Sequence, residues 1–200
     1  MYSTSKRVID LLCAAVCLIV LAPIWVLLSA AVKVDSTGPV FFRQKRVGIH
    51  KTYFRIMKFR TMRVDTPKDT PTHLLRNADE QMTRVGRFLR RTSLDELPQL
   101  LNILQGEMSF VGPRPALWNQ YDLIAERDKY GANDIRPGLT GWAQVNGRDE
   151  LQIDIKAELD GEYVKRMGPL FDAKCLLMTV SGVLRGEGVV EGAGVAEVRR

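Results

Sequence analysis

Histidine and cysteine are scarce in this sequence, and their scarcity removes several chemistries before any motif is read. Only His50 and His73 are present, both in polar surroundings, so histidine-based proton transfer has thin support and both read as surface residues. Three cysteines, two of them (Cys13 and Cys17) inside an apolar run, make neither a disulfide framework nor a zinc spacing. They read as structural buried thiols in a reducing, cytoplasm-facing environment. No GxxxxGK[ST] phosphate loop, HExxH, CxxC or GxSxG elbow occurs, and no internal repeat is visible. Acidic residues are also outnumbered, 23 against 29 Lys and Arg, for a net charge of +6. The excess predicts attraction to a polyanion, whether nucleic acid, an anionic lipid surface or a phosphorylated small substrate.

What is present begins with a charge-free run from Leu11 to Val32. Its 22 residues would reach ~33 Å as a straight helix, enough to span a bilayer. Pro23 lies in the middle, where it removes a backbone hydrogen bond and clashes with the preceding turn, which predicts a kink or break. Each arm then covers only ~15 to 18 Å, half a bilayer. Lys6 and Arg7 precede the run while Lys33, Arg43, Lys45 and Arg46 follow it, so both flanks carry the cytoplasmic signature. We therefore expect a re-entrant helix-break-helix over 1–34 in preference to a single crossing. A cleaved signal peptide is disfavoured, because the run exceeds the ~7 to 15 residues of an h-region. Asp10 reads as an interfacial residue paired with Arg7 or a later arginine.

Beyond the anchor, residues 35–186 read as one catalytic domain of helix-rich α/β type, and 187–200 as a loosely ordered Gly-rich tail. Val40 to Met62 alternates aromatic and β-branched residues with basic ones around Gly48, predicting a small hairpin. Residues 63–82 read as a surface loop with a short helix. From Thr83 to Arg91, Val85, Phe88 and Leu89 recur at helical spacing among four arginines. This segment is either a solvated charge face or, beside an apolar anchor, a membrane-surface amphipathic helix. Leu97 to Leu104 should pack inward and end at Gly106. Helices are expected at 116–130, 150–167 and 169–184, tight loops at 111–115 and 137–141, and an extended piece at Trp142–Val145.

The chemistry centres on Thr92-Ser93-Leu94-Asp95-Glu96-Leu97-Pro98-Gln99. Ser93 and Glu96 match an S-x-x-E capping box, and acidic residues favour a helix start, so a cap with no further role is one reading. Against it stand the arginines at 84, 87, 90 and 91, the constraint of Pro98 on the opening turn, and the Pro113-Arg114-Pro115 loop one helix length away. Together they suit phosphoryl transfer, which needs a nucleophile in line with phosphorus and positive charge around the moving oxygens. An ionised aspartate can be that nucleophile and split the transfer into two steps.

With these residues in view, the chain resembles the bacterial sugar transferase family, the monotopic phosphoglycosyl transferases. The resemblance is carried in order by Lys58-Phe59-Arg60-Thr61-Met62, by the Asp95-Glu96 segment, by Gly112-Pro113-Arg114-Pro115, and by Arg136-Pro137-Gly138-Leu139-Thr140-Gly141-Trp142-Ala143-Gln144-Val145-Asn146-Gly147-Arg148. It implies a re-entrant helix broken at Pro23 and a small cytoplasmic α/β domain with membrane-surface helices, at the cytoplasmic face of the bacterial inner membrane. It also implies that Asp95 attacks the β-phosphate of a UDP-sugar, releases UMP and passes the phosphosugar to undecaprenyl phosphate. Mg²⁺ is the implied cofactor, lying against Asp95, and Glu96 would assist. Arg114, with Lys58, Arg60, Arg90, Arg136 and Arg148, would hold phosphates or the nucleotide. Membrane lipid is the expected surface partner, and nucleic acid is not expected as one. Ala22 stands before the proline where relatives often carry serine. The competing class is a non-enzymatic membrane adaptor binding anionic lipid or nucleic acid, which leaves the ordered acidic and Pro-Arg-Pro motifs unexplained.

Overall fold

The computed structural model describes residues 2–67, 78–147 and 151–185. The fold begins with α1 (Tyr2–Asp35), whose exposed residues include Leu12, Ile19, Val20, Val26 and Leu27. It is the one described helix long and apolar enough to cross a membrane, by length and composition. The break expected at Pro23 is absent: the helix runs through it. Proline's fixed φ is itself helical, so the ring removes one hydrogen-bond donor without forcing the chain out of the helix.

One face of α1 is claimed by the rest of the fold. Ala14, Cys17, Leu18 and Leu21 join a cluster with Phe54, Ile56, Leu100, Ile103 and Met108. Further along, Trp25, Leu28 and Val32 pack with Phe41, Phe59 and Leu89. Both ends are tied by polar contacts as well. Near the start, Arg7 donates to the carbonyl of Ile103 at 2.8 Å, and Asp10 accepts from the Ser109 hydroxyl at 2.7 Å. At the end, Asp35 accepts from the Val85 amide at 2.9 Å. Asp10 is buried; Lys6 lies 3.9 Å from its carboxylate, and the expected Arg7 interacts with it electrostatically without closing to an ion pair.

The hairpin is β1 (Phe41–Val47) against β2 (Tyr53–Phe59), antiparallel, with Phe41 opposite Phe59 and Val47 opposite Tyr53. The short α2 (Ala78–Gln81) leads into α3 (Arg84–Arg91), which Thr83 caps by accepting from the Gly86 amide. Leu89 is buried while Phe88 is half exposed, so α3 is amphipathic as its spacing predicted. Next comes α4 (Gln99–Gln105), closed by Gly106 in the left-handed region at φ 89°. Two short strands, β3 (Ser109–Val111) and β4 (Gly138–Thr140), pair in parallel across the connection that carries α5 (Tyr121–Asp128).

The remaining helices are α6 (Trp142–Val145), α7 (Ile153–Arg166) and α8 (Pro169–Arg185). Trp142–Val145 is thus one helical turn and not an extended piece: the Trp142 ring packs on Phe171, 4.9 Å between centroids, and the turn lets it face α8. On α8, Leu170, Leu177, Val180 and Leu184 are exposed on the stripe opposite the buried Phe171, Asp172 and Cys175. Of the thiols, Cys175 is buried as expected, whereas Cys13 is exposed on α1. His50 is exposed. His73, residues 68–77, Arg148 and the 187–200 tail lie outside the described residues.

Candidate active site

The chain leaves α3 through Thr92 and turns sharply at Ser93, whose φ of 55° is left-handed. A non-glycine residue there is uncommon and costs free energy unless its surroundings hold it. The turn starts a single 3-10 helical step, Leu94–Glu96, before Pro98 opens α4. The capping box is not formed: Ser93 makes no side-chain cap, and Glu96 reaches away to charged partners. For a buried carboxylate, two cations are a better partner than one backbone amide.

Those partners come from separate elements. Lys58, on β2, places Nζ 2.6 Å from Glu96 Oε1, and Arg114, after β3, donates to the same oxygen at 3.2 Å. Burial alone would push the Glu96 carboxyl up, but Lys58 and Arg114 outweigh it and hold the group well below the ordinary carboxylate range. Asp95 is equally buried, yet Lys58 is 4.0 Å away and no hydrogen bond from a described residue reaches its carboxylate. Burial therefore dominates and raises its pKa, with Lys58 opposing. Burial also lowers the pKa of Lys58, with Glu96 opposing.

Asp95 and Glu96 open onto a cavity of about 420 Å³, within the ~300 to 1,000 Å³ usual for small-molecule sites. Its charged pole also holds Lys58, Arg46, Arg90 and Arg114. Arg90 donates to the Thr61 hydroxyl at 3.0 Å, and Arg46 to the Pro115 carbonyl at 3.0 Å, which ties β1 to the Pro-Arg-Pro loop. The opposite pole is apolar, formed by Cys17 and Leu21 of α1 and by Leu176, Val180 and Val183 of α8. From behind, Arg127 donates to the Arg114 carbonyl at 2.9 Å while its Nη2 lies 2.6 Å from Asp160, both side chains almost fully buried.

Of the residues singled out in the sequence, the fold thus brings Lys58, Arg90, Asp95, Glu96 and Arg114 to one cavity. Arg60 instead donates to the Ser36 carbonyl at 2.7 Å, at the end of α1, and lines a neighbouring slot. Arg136 donates to the Gly106 carbonyl at 3.0 Å and lines a separate cleft with Lys6, Arg7 and Asp10. Sequence reasoning had passed over Arg46, Thr61 and the α8 residues. Arg46 and Thr61 could have been found as the polar members of a strand and its exit facing the same side as Lys58; the α8 residues carry no chemical signature and needed the fold.

A buried carboxylate in a cationic cavity that runs into two lipophilic helices suits a transferase acting on anionic substrates. Residues 1–186 match the bacterial sugar transferase family, and the chain belongs to it. The relatives differ in length. The chain is 41% identical over 184 residues to the uncharacterized sugar transferase EpsL of Bacillus subtilis strain 168, covering 92% of this chain and 89% of that one. It is 36% identical over 199 residues to the exopolysaccharide production protein ExoY of Sinorhizobium fredii, covering 92% and 87%. It is also 41% identical over 183 residues to the UDP-glucose:undecaprenyl-phosphate glucose-1-phosphate transferase of Escherichia coli K12, covering 88% of this chain but 39% of that larger protein.

Proposed function

We propose that this chain moves a sugar 1-phosphate from a UDP-sugar to undecaprenyl phosphate, releasing UMP, through a phosphosugar held covalently on Asp95. One observation carries the assignment of the nucleophile: of two adjacent carboxylates, Glu96 is spent on Lys58 and Arg114 at hydrogen-bond distance, while Asp95 faces the cavity with Lys58 no nearer than 4.0 Å and no hydrogen bond from a described residue. In the first step an Asp95 oxygen bonds to the β-phosphorus, the bond from that phosphorus to the bridging oxygen breaks, and UMP leaves with the electron pair. In the second, a phosphate oxygen of the lipid acceptor bonds to the same phosphorus and the acyl phosphate bond breaks, restoring the carboxylate. Lys58, Arg90 and Arg114 stand where charge on the phosphoryl oxygens must be met. The E. coli relative's name, with its UDP-glucose donor and undecaprenyl-phosphate acceptor, supports this substrate pair.

A magnesium ion fits a site with one uncommitted carboxylate, since Mg²⁺ is commonly held by one or two carboxylates together with substrate phosphates. Asp95 is the residue that would hold it, and when bound the ion neutralises pyrophosphate charge. Glu96, locked in its ion pairs, orients Lys58 and Arg114.

The chain's place at the cytoplasmic face of the bacterial inner membrane belongs to the same reading. Both ends of α1 are tethered to one domain, at Arg7 and Asp10 and again at Asp35, and this favours a helix kept on the domain's side of the bilayer over a crossing. The exposed stripe of α8 supports a surface contact with lipid. The test is UMP release from a panel of UDP-sugars, beginning with UDP-glucose, in the presence of undecaprenyl phosphate and Mg²⁺. Asp95→Asn should abolish it, and quenched wild-type enzyme should carry the phosphosugar mass on the peptide containing Asp95. Turnover by Asp95→Asn, or a phosphosugar mapped to another residue, overturns the mechanism.

A further inference from the structure

We propose that the slot between the exit of β2 and the segment that follows it seats the uracil ring of the donor, so that the nucleotide lies beside the catalytic cavity and the sugar phosphate within it. This rests on the UDP-sugar reading above. The slot measures about 100 Å³, the scale of a single ring and far below the ~300 Å³ at which whole-ligand pockets begin. It is contiguous with the catalytic cavity: Phe42, Gln44, Thr61 and Arg90 line both.

Its wall carries polar atoms that find no hydrogen-bond partner among the described residues. Arg60, only 4% exposed, uses Nη2 at the end of α1 but has no such partner for Nε or Nη1, and neither has the hydroxyl of the half-buried Thr66. Buried polar groups are normally satisfied, and leaving donors unpaired is costly, so such groups beside a cavity point to a missing polar partner. The chemistry of that partner can be read from the wall. Arg60 offers only donors, and Thr66 can donate or accept. A uracil edge has the complementary pattern, two carbonyl acceptors flanking an N–H donor.

The rest of the lining mixes the basic side chains of Arg43, Arg63 and Arg90 with apolar and aromatic ones, Phe41, Phe42, Met62 and Val64, and the latter suit a flat ring. Among the described residues no carboxylate lines the slot. A bare phosphate or a lipid headgroup would satisfy the arginines but leave those apolar side chains without a role. Seated this way, the nucleotide places its phosphates toward Arg90, at the boundary between slot and cavity.

The experiment uses the full chain in detergent micelles, with UMP, CMP and inorganic phosphate titrated by calorimetry. UMP should bind at least tenfold more tightly than inorganic phosphate and several-fold more tightly than CMP. Val64→Trp fills the slot from a half-exposed position that folding tolerates. It should raise the Kd for UMP and the KM for the UDP-sugar about tenfold, with the KM for undecaprenyl phosphate unchanged. Thr66→Val should narrow the preference for UMP over CMP. UMP binding no tighter than inorganic phosphate, or unaltered by Val64→Trp, overturns the slot assignment. Asp95-dependent turnover of UDP-glucose in a Val64→Trp variant with an unchanged donor KM rejects the slot alone. No UMP release from any UDP-sugar rejects the parent reading.

Discussion

The two neighbouring carboxylates should respond to neutralisation with opposite signs. Asp95 and Lys58 Nζ are 4.0 Å apart, and at an effective dielectric of about 20 that attraction amounts to about 4 kcal/mol. Burying a carboxylate costs several kcal/mol, and the raised pKa of Asp95 shows that the cost wins. Asp95→Asn removes the charge while Lys58 keeps Glu96, so the protein should become more stable by about 1 kcal/mol, a rise in Tm of ~2 to 4 °C. Glu96→Gln does the reverse. It strips a buried partner from Lys58 at 2.6 Å and from Arg114 at 3.2 Å, which should cost about 3 to 5 kcal/mol and lower Tm by on the order of 10 °C. Scanning fluorimetry of both variants in one detergent, beside UMP release, gives the comparison. Asp95→Asn should be the more stable and catalytically dead. If it melts below wild type, the claim that Asp95 is held ionised at the expense of stability is wrong.

The pH profile of kcat/KM should be bell-shaped. Its acid limb follows Asp95, whose raised pKa means protonation, and loss of the nucleophile, begins above the usual carboxylate range. Its alkaline limb follows Lys58, lowered by burial, as Glu96 loses its cation; a profile flat across both limbs refutes these assignments. Because Glu96 is depressed, its share of stability is present above the unfolded carboxylate value and is lost only as pH falls through its low folded value, so the Glu96→Gln deficit should persist at pH 5 in thermal melts. Arg127→Met should cost about 3 to 5 kcal/mol by stranding Asp160 and should raise donor KM by loosening the Arg114 backbone, whereas Arg127→Met with Asp160→Leu should regain stability but not KM. Gly86→Ala should destabilise the fold by roughly 1 to 3 kcal/mol, read as a lowered Tm in thermal melts, because an added Cβ would sit 2.0 Å from the Thr61 carbonyl oxygen.

Sequence pattern sufficed wherever one periodicity or one residue type decided the outcome. The β1–β2 hairpin followed from alternation around Gly48, α4 ended at Gly106, and α7 and α8 lie close to their expected bounds. It failed where tertiary partners decided. Ser93 and Glu96 have the spacing of a capping box, but two cations outbid the backbone amide for the carboxylate. Trp142–Val145 has strand-forming residues, yet packing against Phe171 selects a helical turn. Arg60, Arg114 and Arg136 each belong to a motif, and nothing in their local sequence says that only Arg114 would reach the carboxylates. Which carboxylate is engaged was equally illegible, because the distinction lies in Lys58, 37 positions before Asp95 in the chain and adjacent in space.

The arrangement of polar and apolar poles in one cavity follows from where α1 packs. Had α1 merely anchored the chain, its face toward the domain would need only to be apolar; here Cys17 and Leu21 also close the cavity whose other pole holds Asp95. On the far side, α8 supplies Leu176, Val180 and Val183 to the same cavity while its Thr179 hydroxyl lies 2.6 Å from that of Thr140 on β4. The two most lipophilic helices are therefore fixed against the catalytic elements by side-chain packing and a polar contact. A charged reactant can meet the carboxylate and basic side chains at one pole while a hydrocarbon chain remains among apolar side chains at the other. Burial of Asp95, costly to the fold, is the consequence of placing a carboxylate at that junction.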